Sequence, residues 1–238
     1  MQIADYCREV EAYLCRKNDG HLIRIVGPSF DLVSAWASRG VPLRIACRGI
    51  DRYVERYYAK GPRRRPVRID FCEADVLEAF DEWRRTTGLA ADAAAGTGND
   101  GDRLGGRRLS GLSLPAHLER ALRRLTSARA SGALDATFDR VLDEVSRELD
   151  AARQTAGGVR GAARQALVER LAALDREMLR ALRLTLDEAS RAALTREAEE
   201  DLTAFRAGMA ADVFARARDA AVDRLLRERF GLPTVAFL

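Results

Sequence analysis

PLRIACRGIDRYVERYYAKGPRRRPVR, residues 42–68, carries two patterns at once. At about 100° per residue, Leu43, Cys47, Ile50, Val54 and Tyr57 fall within an arc of about 80°, which predicts an amphipathic helix with that stripe as its core face. Pro42 suits its start, because the missing N–H falls where no intrahelical bond would form. On the opposite face Arg44, Arg48, Arg52, Arg56 and Lys60 recur at every fourth position, and Arg63, Arg64, Arg65 and Arg68 follow in the loop. Between Arg39 and Arg68 there are ten Lys or Arg against two acids, Asp51 and Glu55, whereas from Ser113 onward twenty-one bases meet twenty acids. The basicity of the chain is therefore local. A plain solvated face is the competing reading, yet alternating signs would serve solubility better and avoid repulsion between like charges four residues apart. Such segregation predicts contact with a polyanion.

Outward from this helix, residues 1–88 hold both tryptophans, all five tyrosines and all four cysteines. They predict a small helical domain. Ile3, Cys7, Val10 and Leu14 mark an opening helix that stops at Asn18-Asp19-Gly20, and HLIRIV predicts a short extended piece ended by Gly27-Pro28. Ser29 is a candidate N-cap for a helix holding Leu32, Val33 and Trp36 and ending at Gly40. After Pro66, VRIDF predicts a second short extended piece. Asp70 is then placed to cap FCEADVLEAFDEW, on which Cys72, Val76, Leu77 and Phe80 face the core. Phe71, Phe80 and Trp83 have the chemistry for base stacking but also the spacing of core residues. Tyr58, beside the basic ridge, is the first stacking candidate.

Residues 6–83 resemble the DnaD-type C-terminal domain of bacterial and phage replication proteins. The likeness lies in HLIRIVGPSFDLVSAW, a loop followed by a helix ending in Trp, in GVPLRIACRGIDRYVE, a helix around an Ile-Asp pair, and in the basic loop GPRRRPVR leading to FCEADVLEAF. Phe71 stands where the family motif has Tyr. The resemblance implies an all-helical, oligomerisation-prone, nucleic-acid-binding module tied to replication or helicase loading.

Residues 89–112, LAADAAAGTGNDGDRLGGRRLSGL, are rich in Gly, Ala and Asp without sustained period and predict a flexible linker. Residues 113–238 predict a helical bundle or coiled coil. Leu134, Phe138, Val141, Val145, Leu149 and Ala152 mark one helix ending at Gly157-Gly158. Leu167, Leu171, Leu174, Met178, Leu182 and Leu186 continue a seam near 3.5 residues per step, with a break expected near Thr195. An Ala-rich seam wider than strict a/d positions favours a bundle or a self-associating or partner-binding surface. Gly231 and Pro233 end the last helix, so Leu232, Val235, Phe237 and Leu238 form an apolar tail that either folds back or docks into a partner.

Several function classes are disfavoured. GTGNDGDRLGG lacks the preceding strand and the lysine of a phosphate-binding loop, and no nucleophile elbow or zinc-protease helix occurs. Cys7, Cys15, Cys47 and Cys72 lack metal-ligand spacing and read as thiols in a reducing cytoplasm; His21 and His117 read as surface residues. Neither metal nor cofactor is implied. Asp5, Arg8, Glu9 and Glu11 interrupt the opening apolar residues, and no run suits a membrane span. The expectation is an all-α, cytoplasmic, non-enzymatic adaptor that grips nucleic acid, DNA by preference, with weak sequence selectivity. It would recruit partners or oligomerise through its C-terminal helices. The alternative is a scaffold whose basic ridge meets an acidic protein surface.

Overall fold

The computed structural model describes residues 1–59, 61, 65–89, 113–131 and 134–237. Lys60, Arg63, Arg64, Leu238 and all of the expected linker except Leu89 lie outside the described residues. Among those described the chain is all-α, as its composition predicts, with nine α-helices and two short 3-10 turns. In order these are α1 (Ile3–Lys17), α2 (Pro28–Ser38), α3 (Leu43–Tyr58), a 3-10 turn (Ile69–Cys72) and α4 (Glu73–Thr86). Then come α5 (Leu114–Ala130), α6 (Ala136–Thr155), α7 (Gly161–Thr185), α8 (Glu188–Leu202), a 3-10 turn (Arg206–Gly208) and α9 (Ala211–Phe230). Two compact units form: residues 1–98 with 199–220, and residues 99–198 with 221–238.

In the first unit, α1 buries Tyr6, Cys7, Val10 and Leu14, while Ile3 remains 43% exposed. The helix ends where Asn18 turns the chain, and residues 21–26 form no strand. Pro28 rather than Ser29 opens α2, which buries Val33 and Trp36. Gly40 holds φ +77 and has no room for a side chain: an added Cβ would lie 2.9 Å from Cβ of Ala204. Phe205 also packs there and reaches the rings of Phe80 and Trp83 at 6.4 and 5.7 Å between centroids. Residues 199–220, assigned by periodicity to a C-terminal module, thus supply part of the core of the N-terminal unit.

The decisive correction concerns α3. Its buried residues are Ile45, Ala46, Gly49, Ile50 and Val54, whereas Leu43, Cys47 and Tyr57 lie at the margins. Gly49 explains the rotation, because it lets α4 approach so closely that a Cβ there would meet the Val76 Cα at 2.4 Å and its N at 2.6 Å. VRIDF is not an extended piece either. Ile69–Cys72 coils into a 3-10 turn, burying Ile69 and Cys72, and Asp70 accepts a hydrogen bond from the Ser29 hydroxyl at 2.7 Å instead of capping α4.

In the second unit, side chains cap helices where the sequence offers them. Ser113 accepts from the Ala116 N–H, and Asp135 accepts from Thr137 and Phe138 at 2.6 and 2.9 Å. Helix α6 buries Phe138, Leu142, Val145 and Leu149, so Leu142 takes the core position expected of Val141. Helix α7 contributes Leu171, Leu174, Met178, Leu179 and Leu182. No break occurs at Thr195, whose hydroxyl bonds back to the Arg191 carbonyl inside α8. The chain breaks earlier, at extended Leu186, and Asp187 restarts it by accepting from the Ser190 N–H at 2.6 Å.

Candidate nucleic-acid interface

Rotating α3 towards α4 carries its cations with it. At about 100° per residue, Arg52 and Arg56 project within about 20° of the Ile45 direction, along the edge that α4 covers. They meet carboxylates there. Arg56 forms a two-pronged pair with Asp75, both N···O distances 2.7 Å, and Arg52 pairs with Glu82. Arg48 stands 3.9 Å from the same Glu82, and Arg44 pairs with Asp201. The acids that the ridge lacks in its own sequence are supplied by α4 and by a residue 157 positions away. As an open row of cations the ridge is therefore corrected: its first four members are compensated within the fold.

The loop after α3 differs. From Ala59 to Arg68 the chain holds five cations and no acid. Its return path is anchored by named bonds. The Tyr57 hydroxyl donates to the Arg65 carbonyl at 3.2 Å, which places exposed Arg65 beside the end of α3. Asn18, only 1% exposed, accepts from the Val67 N–H at 2.6 Å and donates to the Val67 carbonyl at 3.2 Å and the Leu14 carbonyl at 2.8 Å. A buried amide satisfied on both sides is costly to disturb, so this residue fastens the loop to the end of α1. Arg68, whose side chain is 69% exposed, reaches Asp70 at 3.0 Å.

The aromatic residues separate into two groups. Phe80 and Trp83 are core, 2% and 0% exposed, with ring centroids 5.7 Å apart. Phe71 is 58% exposed. It lies parallel to Tyr53 within 13°, at 6.3 Å, and Tyr53 lies within 22° of Tyr57 at 6.0 Å. Tyr58 meets Tyr57 edge-on at 5.2 Å, and the Arg56 guanidinium sits 5.5 Å from the Tyr53 centroid. Tyr58 is thus the end of a row rather than its centre. Helical spacing links Tyr53 to Tyr57, but only the 3-10 turn brings Phe71 to them.

The apolar tail is a packed element of the second unit. Leu232 and Val235 are buried, the Val235 N–H donates to Asp175 at 2.7 Å, and the His117 Nε2 bonds the Val235 carbonyl at 3.1 Å. Phe237 meets the His117 ring edge-on at 5.3 Å, with Arg164 over its face. Docking by Leu232 and Val235 is therefore corrected to self-packing, and His117 belongs to that packing. The four cysteines are free thiols, Cys7 and Cys72 buried, and burial pushes Cys72 up to about 12. Among the described residues no group of His, Cys, Asp and Glu could hold a metal ion, and no helix is long and apolar enough to cross a membrane. Comparison with family models, with curated proteins and with solved structures returned no match.

Proposed function

We propose that this chain is a non-enzymatic nucleic-acid-binding protein whose grip is the segment from Lys60 to Arg68 rather than the whole basic ridge. The observation that carries this reading is the run of five cations uninterrupted by an acid that follows α3, in a segment fastened at Arg65 by Tyr57 and at Val67 by Asn18. Phosphates neutralised by such a loop release counterions, so affinity should come from backbone charge and carry little sequence information. Arg44, Arg48, Arg52 and Arg56, already paired with carboxylates, contribute less. The resemblance of residues 6–83 to DnaD-type domains is what would tie this binding to replication.

Fluorescence anisotropy with labelled oligonucleotides across a salt series tests the proposal. Four engaged phosphates on a single strand predict a log–log slope of about −3. In a chain carrying Arg63→Glu, Arg64→Glu and Arg65→Glu the slope should flatten and low-salt affinity fall at least tenfold. Absence of binding at low salt would overturn the proposal, and capture of an acidic protein by the same loop would then favour the scaffold reading.

A further inference from the structure

HLIRIV, residues 21–26, has the alternation of a strand but no strand to pair with among the described residues. Its inner edge is fastened to α1. The Ile23 N–H donates to the Cys15 Sγ at 3.3 Å, and the Ile25 N–H donates to the Glu11 Oε2 at 2.7 Å. Glu11 and Cys15 stand one helical turn apart, about 6 Å along α1, so the two steps from Ile23 to Ile25 rise about 3 Å each, as in a β-strand. Burial keeps the same period of two: Ile25 is buried and Ile23 partly so, whereas Leu22, Arg24 and Val26 are exposed. In a strand the N–H and C=O of alternate residues face opposite edges, so those of Leu22, Arg24 and Val26 turn away from α1. Among the described residues none of these outward groups has a hydrogen-bond partner. Leu22 and Val26 are 78% and 66% exposed, and Arg24 between them enters no ion pair with a described residue.

We infer that residues 22–26 are a docking edge for an extended segment of a partner protein, which adds as an antiparallel strand with apolar, acidic and apolar residues at alternate positions. Main-chain bonds to the open edge supply affinity, and the side chains set opposite Leu22, Arg24 and Val26 supply selectivity. Directly opposed side chains share one face, so an acid facing Arg24 and apolar residues facing Leu22 and Val26 provide what the edge lacks. A second copy of this chain fits less well. The register that sets Leu22 against Val26 also sets Arg24 against Arg24 of the second copy, and like charges directly opposed are destabilising. The neighbouring registers set Val26 against Gly20 or Leu22 against Pro28, which has no N–H to give. Gly20 and Gly27, both at positive φ, end the edge on either side. This inference is independent of the nucleic-acid reading.

The test uses the full chain, isotope-labelled for amide NMR, and a blocked heptapeptide, Thr-Val-Thr-Glu-Thr-Val-Thr, whose valines and glutamate share one face. At millimolar peptide the Leu22, Arg24 and Val26 amides should shift and gain protection from hydrogen exchange. The Ile23 and Ile25 amides, already bonded, should gain little. Lysine in place of the peptide glutamate should weaken binding about 2- to 30-fold. Arg24→Glu, at an exposed position that leaves the fold intact, should reverse that preference. N-methylation of both valines removes the N–H groups facing the edge and should weaken binding about tenfold, whereas N-methylation of the two inner threonines should not. Unchanged Leu22, Arg24 and Val26 amides, or equal binding by the two methylated peptides, would overturn the inference. Concentration-dependent shifts of the same amides without peptide would overturn it in favour of a second copy.

Discussion

Gly49 is the residue on which the first unit turns. A methyl group there would press on the Val76 backbone at 2.4 and 2.6 Å, and backbone cannot swing aside as a side chain can. Gly49→Ala should therefore destabilise the chain by about 2 kcal/mol net, since overpacking costs about 1–3 kcal/mol and the helix propensity of Ala returns up to about 1. Urea unfolding measures it, with Gly157→Ala, where a Cβ meets nothing within 4 Å, as a control expected to be near neutral. Residue-scale features of this kind are only partly legible in the sequence. The stripe Leu43, Cys47, Ile50, Val54, Tyr57 and the buried set Ile45, Ala46, Gly49, Ile50, Val54 share two members, because periodicity scores side-chain hydropathy and a glycine scores as neutral. The value of Gly49 lies in the absence of a side chain, which hydropathy does not register. The same rotation hides the carboxylate partners of Arg52 and Arg56.

At the scale of elements, the helices themselves are well marked, since apolar residues recur at three and four and the stops at residues 18–20, 40 and 157–158 are turn chemistry. The break before α8 is harder to place, because Thr195 resembles a cap and Asp187 resembles one more surface acid. Asp187 holds the helix start: the N–H of Ser190 keeps its carboxyl below the usual aspartate range. Because the folded pKa is depressed, the bond stabilises the protein above the ordinary carboxylate value near 4 and loses its contribution as pH falls through the lower folded value. Asp187→Ala should lower Tm at pH 7 by about 2–4 °C, a difference that closes as the pH falls through the depressed folded value. A difference that persists in acid would assign the loss to something other than the carboxylate. The 3-10 turn at Ile69–Cys72 is hidden for another reason. VRIDF alternates like a strand, but burial of Ile69 and Cys72 and the Ser29–Asp70 bond fold it differently.

For the whole molecule, the chain order does not follow the units. Residues 199–220 complete the N-terminal unit, where Phe205 covers the Phe80 and Trp83 rings and Asp201 receives Arg44. A fragment of residues 1–112 should therefore melt well below the full chain and bind a hydrophobic dye, since it leaves those rings and that guanidinium uncovered. A fragment as stable as the full chain, by thermal denaturation followed by circular dichroism, would show that residues 199–220 are dispensable to the core. No local pattern reveals this arrangement, because heptad-like spacing is the same whichever neighbour a helix packs against.

That discontinuity has a consequence during synthesis. A ribosome adds about 5–20 residues per second, so about 6–25 s separate residue 98 from residue 220. Throughout that interval the nascent N-terminal segment has its helices but not its last wall, with Trp83 and Phe80 open to whatever is nearby. The second unit's first helices emerge within the same window. The chain thus passes through a stage in which two incomplete cores coexist on one polypeptide, and its yield in the cell should depend on holdase chaperones more than its modest size suggests.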